Sequence, residues 1–338
     1  MMPPTTSNRA SSVADLIRVA RESPPKPGVA GLLNENEILL LHGSEESFKT
    51  VFVVQLAACI ATGEPFLRLF PVDHPRHVGI METEMHAAQM GLRLAKMFGE
   101  TPPIMDKLRF MNDSMLRQFR SEKNLDRKIG MVHGWVLSEH VSVLMIDTAN
   151  DFFRGEENPS DERHVGLLFD RLRSMCLAGY VLVRHDRKRR GGDDSAISFN
   201  DNEEIRGSAE WKEDPEAIVS LQRVDRRTHK VVFNVGKLRY GRKPESMVLW
   251  LDAGTFQLTP LPPAIAVLEA GPLARRELVR YCDTRYGLSE RATDDMVKKL
   301  KPFLRETQRG HEKVFEIDRN RLVDEPWGKS VRLPPEIR

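Results

Sequence analysis

The stretch ILLLHGSEESFKTVFVVQLAACIATGEPF, from Ile38 to Phe66, decides how the rest of the chain is read. It opens as an apolar strand, passes through a polar loop beginning at Gly43, and continues from Lys49 as an apolar helical pattern that stops near Gly63 and Pro65. A phosphate-binding loop reads G-x-x-x-x-G-K-[ST]. Gly43, Lys49 and Thr50 stand at the required spacing, with Phe48 where the second glycine belongs. The context suits that chemistry, because loop amides and a helix N-terminus present donors to phosphate oxygens. In this reading Gly43, Ser44, Glu45, Glu46, Ser47 and Phe48 form the cradle. Lys49 meets the β and γ phosphates, and the Thr50 hydroxyl holds Mg²⁺. Two features oppose it: the missing glycine, and the negative charge that Glu45 and Glu46 bring to a loop facing phosphate.

Outward from this stretch, short apolar runs alternate with longer helical patterns: HVGIMETE, MHAAQMGLRLAKMFG, VSVLMIDTA, VGLLFDRLRSMCLAG and YVLVRHD. Such alternation predicts an α/β core with a mostly parallel sheet covered by helices. AIVSLQRVDRRTHKVVFNVGKLRYGR and SMVLWLDAGTFQL then read as antiparallel strands joined by charged turns, up to a PLPP run at Pro260 to Pro263. Beyond it, AIAVLEAG, LARRELVRYCDTRYG and SERATDDMVKKLKPFL read as three helices, followed by VFEID as a strand. In the third, Ala292, Met296, Leu300 and Leu304 recur every four residues and mark a buried face. Three small helices and a hairpin predict a small α+β, winged-helix-like unit. The expected organisation is an N-terminal helix and linker over 1–30, a core over 31–259, the winged-helix-like unit over 260–320, and a tail over 321–338.

With 338 residues and a formal charge of +2, the chain is long enough for a large core and is not marked globally as a nucleic-acid binder. The cysteines, Cys59, Cys176 and Cys282, lie far apart and form neither a disulfide framework nor a zinc pattern. The N-terminus lacks a signal-type apolar core. The longest apolar run, Val51 to Ala61, is too short to span a membrane, so a cytoplasmic protein is expected.

Three strand ends carry further chemistry. VSVLMIDTAN ends in Asp147, the form of a Walker B segment, whose carboxylate binds Mg²⁺ through water. GIMETEM places Glu82 and Glu84 two residues apart on a strand, so by alternation both point to the same side, and either could be the base that orients the attacking water. VLVRHD puts His185 and Asp186 at another strand end, where a polar side chain could sense the γ phosphate.

Taken in order, HGSEESFKT, METEMHAAQMGLRL, VLMIDTANDFF, VLVRHDRK, IRGSAEWKEDPEAIVSL and KLRYGR resemble the RecA-like P-loop ATPases of the DnaB and plasmid RepA helicase group, from about Gly31 to Leu258. RepA-like members are familiar with a loop ending in S-F-K-[ST]. METEM is similar to the helicase strand ending in L-E-M, and that likeness selects Glu84 over Glu82 as the catalytic base. Asp147 then falls on the Walker B aspartate and His185 on the γ-phosphate sensor. KLRYGR resembles a K-x-R-x-G segment whose lysine and arginine, here Lys237 and Arg239, reach the neighbouring subunit's nucleotide. The resemblance therefore implies ATP and Mg²⁺ as cofactors and a homo-oligomer, by analogy a hexameric ring. It also implies that Arg187, Lys188, Arg189 and Arg190 sit in a channel loop contacting single-stranded DNA.

The function implied is an ATP-dependent DNA motor, a helicase or translocase of a plasmid, phage or other mobile element, with replication or mobile-element proteins as partners. Two alternatives stay open at this point. One is a RecA-fold regulatory ATPase acting on protein partners. The other is a winged-helix DNA-binding protein whose core binds nucleotide without hydrolysing it.

Overall fold

The structure, a computed structural model, describes residues 12–22, 27–100, 104, 106–153, 160–186, 205, 208–223, 229–241, 243–244, 246–268, 271–286 and 288–318. Helix α1 (Val13–Glu22) and a small hairpin of β1 (Pro27–Val29) and β2 (Leu33–Asn34) lead into the central strand β3 (Ile38–Gly43). There follow α2 (Lys49–Thr62), β4 (Val78–Glu82), α3 (Ala87–Phe98), β5 (Leu108–Phe110), α4 (Asp113–Ser121), α5 (Leu125–Ser138) and β6 (Val143–Asp147). A 3-10 turn at Ala149–Phe153 precedes α6 (Glu162–Ser174), β7 (Gly179–His185), the one-turn α7 (Glu210–Glu213) and β8 (Ala217–Arg223). The antiparallel strands are β9 (Lys230–Leu238), β10 (Met247–Leu251) and β11 (Leu258–Leu261).

One nine-stranded sheet runs β11-β10-β9-β8-β3-β7-β6-β4-β5. From β8 to β5 every pairing is parallel, and from β8 to β11 every pairing is antiparallel. The expected mostly parallel sheet between helical layers is therefore present. β3 is buried along its whole length, as a continuous apolar run in a parallel sheet must be. Its alternation assigns the two faces: Leu39 and Leu41 join α2 and α3 in one core, while Ile38 and Leu40 join α4, α5, α6 and Trp211 in the other. Ten of the fourteen residues of α2 are buried, so this helix is apolar on nearly all sides. Each large side chain it buries, such as Phe52 or Ile60, is worth about 1.5–3 kcal/mol of transfer free energy.

Beyond the sheet come α8 (Pro263–Leu268), β12 (Leu273–Ala274), α9 (Arg275–Tyr286), α10 (Glu290–Leu300), β13 (Leu304–Arg309) and β14 (Glu312–Ile317), with a small sheet in the order β12-β14-β13. This unit shares its core with the large sheet, since Val232, Val248 and Leu261 pack in one cluster with Ile265, Leu278, Leu300 and Phe315. The expected boundary at residue 260 falls inside β11, where Pro260 is tolerated because the strand lies at the sheet edge. The four-residue apolar repeat does not stay helical to Leu304. Pro302 lacks an N–H and disfavours helical backbone before it, so α10 ends at Leu300 in a 3-10 turn and Leu304 opens β13.

Candidate nucleotide site

Four chain positions meet at the carboxyl edge of the parallel strands: Gly43 closes β3, Glu82 closes β4, Asp147 closes β6 and His185 closes β7. Register places Gly43 beside His185 and Glu82 beside Asp147. Open α/β sheets bind ligands at this edge. Gly43 is required by close approach: a Cβ there would stand 2.2 Å from the Leu221 carbonyl oxygen and 2.7 Å from the Ser47 Oγ.

The loop from Ser44 to Phe48 folds back over the start of α2. Lys49 Nζ donates to the Gly43 carbonyl at 3.0 Å, the Ser44 carbonyl at 2.6 Å and Ser47 Oγ at 3.3 Å. Burial pushes the Lys49 ammonium pKa down, and the charges of Asp147, Asp186 and Glu84 pull it back up. Thr50 Oγ1 donates to Asp147 Oδ2 at 2.6 Å. Asp147 is buried, which raises its carboxyl pKa despite that hydrogen bond. Both the lysine and the aspartate are thus desolvated charges that a phosphate and a cation would compensate.

Phe48 occupies the glycine position in the left-handed conformation that a glycine would take, with φ 63° and ψ 25°. For a residue with a Cβ this costs roughly 1–2 kcal/mol. Its ring is half-buried against the α2 core, and the Arg223 guanidinium carbon lies 5.5 Å from the ring centroid. Arg223 Nη1 also binds Glu46 Oε2 at 2.6 Å. Glu46 has a left-handed φ as well, of 61°.

Glu82 and Glu84 do not share a side. β4 ends at Glu82; Thr83 still bonds the Asp147 carbonyl of β6, but the chain bends at Glu84, so strand alternation does not run on to it. Glu82 is buried and its carboxylate accepts from the Glu84 and Met85 amides; burial pushes its pKa up to about 7. Glu84 is half-exposed and meets His185 Nε2 at 3.1 Å. The structure brings together Lys49, Thr50, Asp147, Glu84 and His185. Lys237 and Arg239 are elsewhere: Ile218, paired with Lys237, neighbours Leu40, and Arg239 bonds Glu216 at the beginning of β3. They lie toward the amino edge of the sheet, with Arg239 roughly 17 Å along β3 from Gly43 at about 3.3 Å per residue. Lys237 Nζ donates to the Lys212 and Glu213 carbonyls, and Arg239 to the Glu213 carbonyl and the Glu216 carboxylate. Burial lowers the Lys237 pKa, with the nearby Arg239 adding to the effect. Arg187, Lys188, Arg189 and Arg190 lie outside the described residues.

Sequence reasoning missed three features. His42 Nδ1 meets Asp186 Oδ1 at 2.7 Å, both side chains being nearly inaccessible, and the Asp186 amide bonds the Gly43 carbonyl. Thr83 and Thr148 tie strand ends together through the Thr148 amide, the Asp147 carbonyl and the Val183 carbonyl. Arg223 reaches the loop from 177 residues away. VLVRHD did signal Asp186, but nothing local pointed to its histidine.

ATP and Mg²⁺ fit these residues. The N-termini of α3, α4, α5, α6 and α10 are each capped by a side chain, whereas that of α2 has no side-chain cap and its amides are open to an anion. Thr50 and Asp147 offer oxygen ligands of the kind Mg²⁺ takes together with phosphate oxygens. Among the described residues no group of three histidines, cysteines or carboxylates forms a protein-only metal cage.

A family profile described as an AAA domain matches residues 3–191, more than half of the chain. The chain belongs to that family. The AAA domain's fold is similar to that of a KaiC-like protein from the hyperthermophilic archaeon Pyrococcus horikoshii OT3, with a TM-score of 0.50 and 16% identity over 70% of this chain and 98% of the other. That likeness supports a RecA-like P-loop architecture for the AAA domain. No curated protein matches the sequence. Among the described residues no helix is long and apolar enough to cross a membrane.

Proposed function

We propose that this AAA domain protein is an ATP hydrolase acting as a DNA-stimulated motor, a helicase or translocase of the RepA and DnaB kind. The observation that carries the reading is the convergence of Lys49, Thr50 and Asp147 with the Glu84–His185 pair on one sheet edge. Lys49 and the open start of α2 would bind the β and γ phosphates, and Thr50 with Asp147 would hold Mg²⁺. When bound, Mg²⁺ neutralises charge building on the phosphate oxygens. Glu84, half-exposed and held by His185, would accept a proton from water and orient it. Glu82 is the poorer candidate because its oxygens already accept backbone amides.

Two further supports concern DNA and assembly. Asp186, which precedes the basic run beginning at Arg187 in the sequence, bonds the Gly43 carbonyl and bridges Ile205. The cations of that run would take single-stranded DNA with little sequence preference. Lys237 and Arg239, remote from their own chain's loop, would serve a neighbouring subunit in a ring.

A second reading has one observation in its favour. The α8-β12-α9-α10-β13-β14 order suits a winged helix, yet the exposed part of α10 carries Glu290 and Asp295 among Arg291, Lys298 and Lys299, with Glu290 paired to Arg275 and Asp295 to Lys298. Those acids oppose phosphate contacts, which favours a protein partner for this unit and a regulatory ATPase. ATP turnover measured with and without single-stranded DNA separates the two: stimulation supports the motor, and turnover indifferent to DNA supports the regulator.

A further inference from the structure

The phosphate loop has lost the glycine that normally lets it wrap a phosphate, and it has gained two glutamates. Its shape must then be held by side chains. Arg223, at the end of β8 and two residues beyond the Leu221 that pairs with Gly43, sits where it can do this. Its guanidinium lies over the Phe48 ring and binds the Glu46 carboxylate at 2.6 Å. The Arg223 side chain is 17% exposed and that of Glu46 75%, so the ion pair contributes little to stability. Its effect falls on the field at the loop. An unpaired carboxylate three residues from Lys49 would oppose a polyanionic ligand, and pairing it with a nearly buried guanidinium both cancels that charge and fixes where it sits. The contact with Phe48 meanwhile favours the left-handed backbone that the loop needs at that residue.

We infer that Arg223 is a positioning residue of the phosphate loop, one that neutralises Glu46 and braces Phe48 so that a glycine-poor loop binds nucleotide phosphates. The inference rests on the ATP-site reading above. It accounts for Phe48 and for the charge of Glu46 with one side chain, and it assigns Glu46 a place outside the phosphate cradle.

The test is calorimetric titration of the full chain with MgATP, on wild type, Arg223→Gln and Arg223→Gln with Glu46→Gln. Arg223→Gln keeps much of the side-chain stem but lifts the neutralisation. It is expected to weaken MgATP binding about tenfold, a deficit that shrinks as ionic strength rises. Glu46→Gln in the same chain is expected to restore most of the affinity, because the opposing charge is then gone. A deficit that Glu46→Gln does not relieve would mean that Arg223 acts only through packing, and would overturn the inference. So would Arg223→Gln binding as tightly as a wild type that binds. A wild type that fails to bind MgATP would overturn the ATP-site reading itself, and this inference with it.

Discussion

The parallel and antiparallel halves of the one sheet handle charge in opposite ways. On the parallel side, Lys49, Glu82, Asp147 and Asp186 are buried ionisable groups gathered at one strand edge, each held by hydrogen bonds. On the antiparallel side, Lys237 and Arg239 sit toward the other edge, donating to carbonyls of α7 and to Glu216, which Arg173 also binds. Buried, clustered and desolvated charge is costly unless something binds it, so the first half has the character of a site. The second half carries half-exposed cations that its own chain keeps away from that site. On the proposed motor reading, the first half of one subunit would work with the second half of another.

That contrast can be broken at its strongest point first. Lys49→Ala is expected to lower ATP turnover by about a thousandfold or more, read as phosphate release at saturating MgATP. Turnover within tenfold of wild type would remove the parallel edge as the site. Arg239→Ala is expected to reduce turnover by about a hundredfold to a thousandfold while leaving MgATP affinity within about twofold, because the cation acts on the transition state. Mixing Arg239→Ala with Lys49→Ala protein sharpens the point. Interfaces pairing an intact Lys49 with an intact Arg239 should regain activity, whereas mixtures as inactive as their parents would refute a shared site.

The smallest effect lies within the antiparallel half. Burial pushes the Lys230 ammonium down to about 8, from 10.5. The folded chain therefore holds that proton less tightly than the unfolded chain. The penalty is full below about pH 8, falls as the folded lysine deprotonates, and is gone above about pH 10.5. Lys230→Met is expected to raise stability by about 2 kcal/mol near neutral pH, with the gain fading toward pH 10 in denaturant titrations. A gain that does not change with pH would show that packing, not charge, limits this position.

The strands and helices that frame the site were legible because burial on both faces writes itself as unbroken apolar runs, as in ILLLHG and VLMID. Helices α4 and α5 were harder to read. Lys128 occupies the buried face of α5, where its ammonium reaches the Asp151 and Phe152 carbonyls, and a charge at an apolar position hides the helical period. At the site itself, spacing points to Lys49 and Thr50 at the start of α2 and to Asp147 at the end of β6, and the fold brings these three together. The alternation expected to put Glu82 and Glu84 on one side holds only while the strand continues, and β4 ends at Glu82. His42 with Asp186, and Arg223 with Glu46, were invisible for another reason: each pair joins residues more than 140 positions apart, and only the sheet order brings them together. Phe48 was equally unreadable, since sequence propensity steers phenylalanine away from the left-handed conformation it adopts.

The most direct measurement of the account is MgATP hydrolysis by wild type and Glu84→Gln, each with and without single-stranded DNA, alongside MgATP affinity for both. The account predicts turnover that rises when DNA is added, a loss of about a hundredfold or more in Glu84→Gln, and affinity retained in that variant. Hydrolysis unaffected by Glu84→Gln would contradict the assignment of the base, and a wild type that neither binds nor hydrolyses MgATP would contradict the site as a whole.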